Sequence, residues 1–516
     1  MKAPKRMYRA LALAATAAIF LSGCGSSANN GSSEGGAGAK SVTTLTLASG
    51  IEPQSLDPAM SREAQFVQYF QPVFDTLIRR DADGTPQPML ATKWETAKDG
   101  KTLTLTLRDD VTFTDNAKLT AEAVKGNLDR FKVTGGPLAG ALASVASVDV
   151  VDAVTVKLNL SKPDPALIYA LGGPSGYIQS PANFDSPTVD TQPIGSGPYE
   201  LDRAATTPGS QYTYVKKADY WAPELQKFEK IVIKPIKDEN ARFNAVRSGQ
   251  ADGMIATAKI VKAAEAAGVE VKMVPGDWQG LSLLDRAGTL TPELAKVEVR
   301  QAINYAVDKD AILQNVGQGL GVVTSQIFSP ASDAYIAELD GAYDYDVDKA
   351  KSLLKAAGLD NGFTLKMPTS ADMDPALAPT ITDQLAKAGI TVEWVDVPAA
   401  QYQAEQQSGK FPAAFTAFGQ PVVAWSAIST VATESAPWNV FKFSTSESKT
   451  LLDEIVNTSG EESVAKQQEL NKYLVDNAWF APWYRIDQPY FISKNVSVEV
   501  QSGQPVPSIY NFEPAK

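Results

Sequence analysis

PMLATKWETAKDGKTLTLTLRDDVTFTDNAKLTAEAVKGNLDRF, Pro88 to Phe131, carries both periodicities on which the fold class turns. From Lys101 to Leu107, Leu103, Leu105 and Leu107 alternate with Thr102, Thr104 and Thr106, the period of two that marks a half-buried strand. Asp99-Gly100 ahead of it is a turn signal. Further on, Thr120 predicts a helix N-cap, Glu122 suits the first turn, and Val124, Leu128 and Phe131 recur at i, i+4 and i+7. A half-buried strand and an amphipathic helix this close together predict a mixed α/β fold.

The same mixture continues outward. Val42 to Leu47 alternates as a strand, and no internal repeat is visible. A helix is expected over about Ala295 to Val307 with Val299, Ile303, Ala306 and Val307 as its inner stripe. Another carries Ala350, Leu353, Leu354 and Ala357 on one face, with Gly358 placed to end it. A chain of 516 residues is too long for one ordinary core, and 44% hydrophobic with 21% charged residues is a globular composition, so two or three domains are expected.

The first residues read differently. Lys2, Lys5, Arg6 and Arg9 precede an apolar run from Ala10 to Leu21, too short to span a bilayer, and the pattern is that of a signal peptide. It ends in Leu21-Ser22-Gly23-Cys24, which resembles the bacterial lipobox, so Cys24 is the expected lipidation site. Cys24 is also the sole cysteine, leaving no other thiol for a disulfide, a metal or a nucleophile. Residues 1–23 are thus read as leader and 24–41, rich in Gly and Ser, as a flexible tether. Loss of the leader's basic residues makes the formal charge more negative than −12, which argues against a nucleic-acid partner.

Several motifs in order along the chain resemble the bacterial extracytoplasmic solute-binding proteins of the peptide/nickel class, family 5. They are Ser55-Leu56-Asp57-Pro58-Ala59, the Pro88 to Phe131 stretch, the Gly-rich turn Ile194 to Tyr199, Arg242 to Asp252, Val299 to Asp308 and Ala350 to Gly358. The resemblance implies a type II periplasmic-binding-protein fold of two α/β lobes joined by a two-segment hinge. Lobe I is placed at 42–284 plus 487–516, with an extra subdomain over approximately 60–175, and lobe II at 285–486. It also implies a monomer that captures a small solute (peptide, sugar, opine or chelate) in the cleft, without cofactor or metal, and delivers it to the permease subunits of an ABC transporter.

For the cleft, the analogy and the residue types single out Glu52 and Gln54 after the first strand, and Trp278 and Gln279 before the first crossing. In the second lobe they single out Tyr402, Phe418, Gln420, Trp425, Trp438, Asn439, Tyr484 and Arg485. Four of them have a plainer reading: polar loop residues for Glu52 and Gln54, a core aromatic for Trp278, an ion pair for Arg485. Peptide-binding relatives place an aspartate after the aromatic-glycine stretch to hold a terminal ammonium. The corresponding residues here, Phe418 to Trp425, contain no acid, which demotes peptides, with Gln420 or Glu434 as substitutes.

Other functions are poorer fits. Without a single histidine the chain has no Ser-His-Asp triad, Cys-His pair or histidine-bound zinc. Gly195-Ser196-Gly197 is no nucleophile elbow. A lipid-anchored glycoside hydrolase needs only two of the 59 acids and stays open, as does a receptor that reports a solute instead of delivering it.

Overall fold

Two long antiparallel strands, Glu270–Leu283 and Phe480–Ile492, pair along most of their length and run through the middle of a mixed sheet. The structure is a computed structural model and describes residues 43–515; Cys24, the leader and the tether lie outside the described residues. At one end of the pair Val271 faces Phe491, and the sheet continues through Gly253–Ile255, Thr44–Ser49, Lys230–Pro235, Tyr212–Lys216 and Tyr199–Leu201. At the other end Leu281 faces Ala481, with Ala413–Phe418 and Gly321–Val323 alongside.

Each end has its own core. Leu45, Leu47, Ile231, Ile233, Tyr490 and Ile492 pack together at the first, whereas Leu281, Leu283, Val299, Ile303, Leu385 and Trp483 pack together at the second. Separate cores joined by two shared strands make two lobes. The register of the shared pair slips between Pro275 and Trp278, and again between Gln279 and Gly280. At Gly280 a Cβ would stand 2.3 Å from the Ala481 carbonyl oxygen, so only glycine permits this approach.

The Pro88 to Phe131 stretch builds a satellite of the first lobe. Strands Ala91–Thr96, Thr102–Leu107, Thr155–Leu160 and Val145–Asp152 form an antiparallel sheet in that spatial order. Leu103, Leu105 and Leu107 point inward, and helix Ala121–Val133 lays Val124, Leu128 and Phe131 into the same core. Thr120 caps that helix through a 3.1 Å bond from the Ala123 N–H.

In the second lobe the helix expected over 295–307 is shorter. Pro292–Ala295 forms a 3-10 turn, extended Lys296 interrupts it, and the helix proper is Val297–Tyr305. The stripe of Val299, Ile303, Ala306 and Val307 is nonetheless fully buried. Helix Val347–Ala356 buries Ala350 and Leu354, and Gly358 follows it at φ +77°. Among the described residues no helix is long and apolar enough to cross a membrane.

Two of the motifs have plain structural causes. Asp57 accepts both ends of the Arg130 guanidinium at 2.7 and 2.6 Å and also caps the following turn through Ala59 N–H, tying the first loop of lobe I to the satellite helix. In the Gly-rich turn, a Cβ at Gly195 would lie 2.1 Å from the Val73 carbonyl oxygen and one at Gly197 2.5 Å from the Val73 carbonyl carbon. Ser196 between them is fully buried and donates to Asp75 at 3.0 Å, so the turn is a packing device that presents no nucleophile.

Candidate functional site

The lobes meet along a seam whose second-lobe side is the loop 419–423 at the end of strand Ala413–Phe418. Val422 reaches Gly84 so closely that a Cβ there would stand 2.8 Å from its Cγ2. Gly503, on the C-terminal segment returned to lobe I, lies against Val422 and the Gln420 carbonyl. Ala166 of the satellite packs on the core of Trp425 and Ile428. Beside this seam is a cavity of about 870 Å³, walled by Gly84, Lys98 and Ile168 on one side and Asp333, Val423 and Gln467 on the other. None of the side chains singled out from the sequence lines it.

Polar atoms without partners collect at the seam. The Tyr169 hydroxyl and Gln420 Oε1 are both buried and unpaired, and both belong to residues next to Gly503. Gln420 spends its amide N–H on the Gly276 carbonyl at 2.6 Å, which aims its oxygen away from that bond. A buried carbonyl or hydroxyl left unpaired is costly, and such atoms commonly mark a place where a ligand or water belongs.

Of the sequence-predicted residues, the structure brings one group together. Phe418 stands edge-on to Trp438 at 4.8 Å and 90° and tilts against Trp278 at 5.3 Å. Phe418 and Trp438 remain half-buried, while Trp278 is 1% exposed and Trp425 is buried on the helix Ala424–Val431. Gln279, half-buried, accepts from the Tyr484 hydroxyl at 2.9 Å. Tyr402 bonds the Phe415 carbonyl, and burial raises its pKa.

Others are engaged elsewhere. Asn439 is 1% exposed; its oxygen takes the Arg286 guanidinium at 2.8 Å and its amide donates to the carbonyls of Thr433 and Phe443. Arg485 forms a fork with Asp340 at 2.8 and 2.6 Å and also donates to Thr324, so the ion-pair geometry is the one realised. Glu52 accepts from the Tyr212 hydroxyl at 2.8 Å, and Glu52 with exposed Gln54 borders a separate pocket of lobe I beside Arg62 and Phe66.

Asp277, within the Gly276 to Gly280 stretch but not singled out there, is half-buried beside the strand pair. It sits in the register slip, next to Trp278, which faces Phe418 across the strands, and this brings its carboxylate to the strand end at Gly419. Its Oδ1 lies 3.8 Å from where a Gly419 Cβ would be, and burial raises its pKa, with no cation or donor set against it among the described residues. Antiparallel register across some 140 positions carries this placement, and spacing along the chain holds no trace of it.

The model of the bacterial extracellular solute-binding proteins, family 5 Middle, matches residues 85–437, and the chain belongs to this family. It is a solute-binding protein with the type II periplasmic-binding-protein fold, and its relatives are solute-binding proteins, not enzymes. The glutathione-binding protein GsiB of Escherichia coli K12 is 29% identical over 370 residues, 70% of this chain and 71% of its own length. Two solved structures superpose over 92% of the chain. HbpA2 of Haemophilus parasuis gives a TM-score of 0.82 at 23% identity over 100% of its length. AgaA of A. tumefacien R10, in complex with agropinic acid, gives 0.73 at 26% identity over 99% of its length.

Proposed function

We propose that the chain captures a small amino-acid-derived solute, a short peptide or a conjugate such as glutathione, between its lobes and presents the closed form to an ABC importer. The observation that carries this reading is the seam: two lobes with separate cores, linked by one strand pair, meet around Gly84, Val422 and Gly503 beside a cavity walled from both sides. Pro275–Trp278 and Arg485–Asp487, where the register slips, serve as the hinge, which sets the first crossing a little before Leu284. Lobe I is then approximately 43–275 plus 487–515, with the satellite within it. A solute bound about 100-fold more tightly by the closed form contributes roughly 2.7 kcal/mol toward closure.

The names of relatives support the solute class, since they include a glutathione-binding protein and a periplasmic binding protein solved with the peptide STSA. The cleft wall is assigned to Phe418, Gln420, Trp438 and Gln279 from lobe II, with Glu52 and Gln54 left to their separate pocket in lobe I. Trp278, Asn439, Tyr484 and Arg485 hold the frame behind it. Cys24, acylated, tethers the protein to the outer face of the cell membrane.

Native mass spectrometry of freshly purified protein tests solute capture, backed by thermal shift with glutathione, dipeptides and opines. A bound small molecule, or a ligand-dependent rise in melting temperature, is the expected result. An empty protein that no member of the panel stabilises overturns the reading. For the anchor, full-length protein is expected in the detergent phase on Triton X-114 partition and Cys24→Ala in the aqueous phase; equal partition of the two refutes it.

A further inference from the structure

We propose that Val422 is the latch of the closed form, a knob on lobe II seated in a glycine socket of lobe I, which sets the affinity for every solute without selecting among them. The inference deepens the solute-capture reading and rests on it.

The socket is made of two turns. Gly84, at φ +91°, lies between the strands Ile78–Arg80 and Pro86–Pro88, and Gly503 lies in the C-terminal segment that returns to lobe I. Backbone and side chain tie the turns to each other: the Ser502 N–H donates to the Ala82 carbonyl at 2.7 Å, and the Gln501 amide donates to the Asp81 carbonyl. That same Asp81 carbonyl accepts from the Gly84 N–H at 3.0 Å. All of these bonds lie within lobe I, so the socket keeps its shape when the lobes part.

The knob is fixed to its own lobe in the same way. Residues 419–423 join strand Ala413–Phe418 to helix Ala424–Val431. Gln420 holds one end of this loop on the Gly276 carbonyl at 2.6 Å, and at the other the Val423 carbonyl accepts from the Ser426 N–H at 3.0 Å. Val423 packs on the core of Trp425 and Ile428, whereas Val422 belongs to none of lobe II's cores among the described residues. Its Cγ2 stands instead 2.8 Å from where a Gly84 Cβ would be and 3.5 Å from where a Gly503 Cβ would be. A side chain at Gly84 would take the space the valine occupies.

A contact made only when the lobes meet contributes its free energy to closure itself. Because the solute is held tightly by the closed form alone, that contribution multiplies the affinity of all solutes by one factor and leaves their order unchanged. A residue that gripped the solute would change the order. Trimming the valine to alanine removes the methyl groups that reach the socket, and the apolar burial lost corresponds to a factor of about 10.

The test uses the full chain with glutathione, dipeptides and opines, read by calorimetry. Val422→Ala is expected to weaken every member that binds by a common factor of about 10, mainly through faster release. Gly84→Ala is expected to weaken them further, and adding Val422→Ala to it to restore part of that loss, because the smaller knob leaves room for the new methyl group. Unchanged affinities in Val422→Ala, or losses that reorder the panel, overturn the latch and leave solute capture standing. Should no member bind wild type, the contact is read without a solute. Val422 Cβ lies 3.3 Å from the position of a Gly84 Cβ, close to disulfide range, and Cys24 is the sole native cysteine. Gly84→Cys with Val422→Cys in a Cys24→Ala background is then expected to cross-link when diamide is added as oxidant. Absence of that cross-link refutes the latch, and native mass spectrometry of the wild type decides capture separately.

Discussion

Replacing Asp340 by Asn tests whether Arg485 is a structural residue of the second lobe or an arm for the solute. The Asp340 carboxylate accepts from Arg485 at 2.8 and 2.6 Å, from Thr324 at 2.7 Å, from Gln326 at 2.8 Å and from the Tyr335 hydroxyl at 2.6 Å. The pair is little exposed, 8% at the Arg485 side chain and 19% at Asp340. Burial pushes the acid upward, but the bonds from Arg485, Tyr335 and Thr324 outweigh it and bring Asp340 down to about 2. From an ordinary value of 3.8 this corresponds to about 2 kcal/mol of stability, fully present above about pH 5 and lost as pH falls through 2. Asp340→Asn additionally strands a buried guanidinium, so a loss of about 3 kcal/mol is expected at pH 7. For a lobe of roughly 200 residues that lowers the melting temperature by about 6–12 °C. Urea unfolding at pH 7 and pH 3 measures both numbers: the deficit should shrink at pH 3, and Asp340→Leu with Arg485→Met should recover much of it. A pH 7 deficit under 1 kcal/mol, or one unchanged at pH 3, refutes the reasoning.

Asp75 carries the opposite sign. Fully buried among Tyr220, Trp221 and Ser196, it is pushed by burial up to about 6, so the folded state holds an extra proton between about pH 4 and 6 and gains stability as pH falls, by roughly 3 kcal/mol. A carbon-13 carboxyl titration of Asp75 centred below 4.5 would contradict this, as would an unfolding profile between pH 7 and 5 that Asp75→Asn leaves unaltered. Gly280→Ala should cost about 1–3 kcal/mol because its Cβ would meet the Ala481 carbonyl oxygen at 2.3 Å, whereas Gly341→Ala, with open space around it, should stay within about 0.5 kcal/mol. Equal melting temperatures for the two variants would show that the strand pair yields there without cost.

Much of the fold was legible because local pattern and tertiary burial agree. The leucines of Thr102–Leu107 and the stripe of the helix capped by Thr120 are inside, as their periods require. The motifs were legible as marks but not as causes. Asp57 and Arg130 stand 73 residues apart and the glycines of Ile194 to Tyr199 press on Val73, relations that no local window contains. The helix start at Val297 was blurred because apolar spacing continues through Ala295, while the chain geometry breaks at extended Lys296.

The candidate site was less legible for a reason that also explains its chemistry. Residue type proposes a role, but a polar side chain is available to a solute only if the chain itself leaves it without a partner, and partners are set by pairing across the fold. Arg485 and Asn439 looked like ligand arms by type and are consumed by Asp340 and Arg286. Gln420, singled out by type, is the one that keeps a buried side-chain oxygen without a partner. Burial makes both conditions expensive to reverse: the satisfied residues resist being recruited by a solute, and the unsatisfied ones gain from whatever donor arrives. Specificity in this cleft therefore follows from which hydrogen-bonding groups the fold has left over.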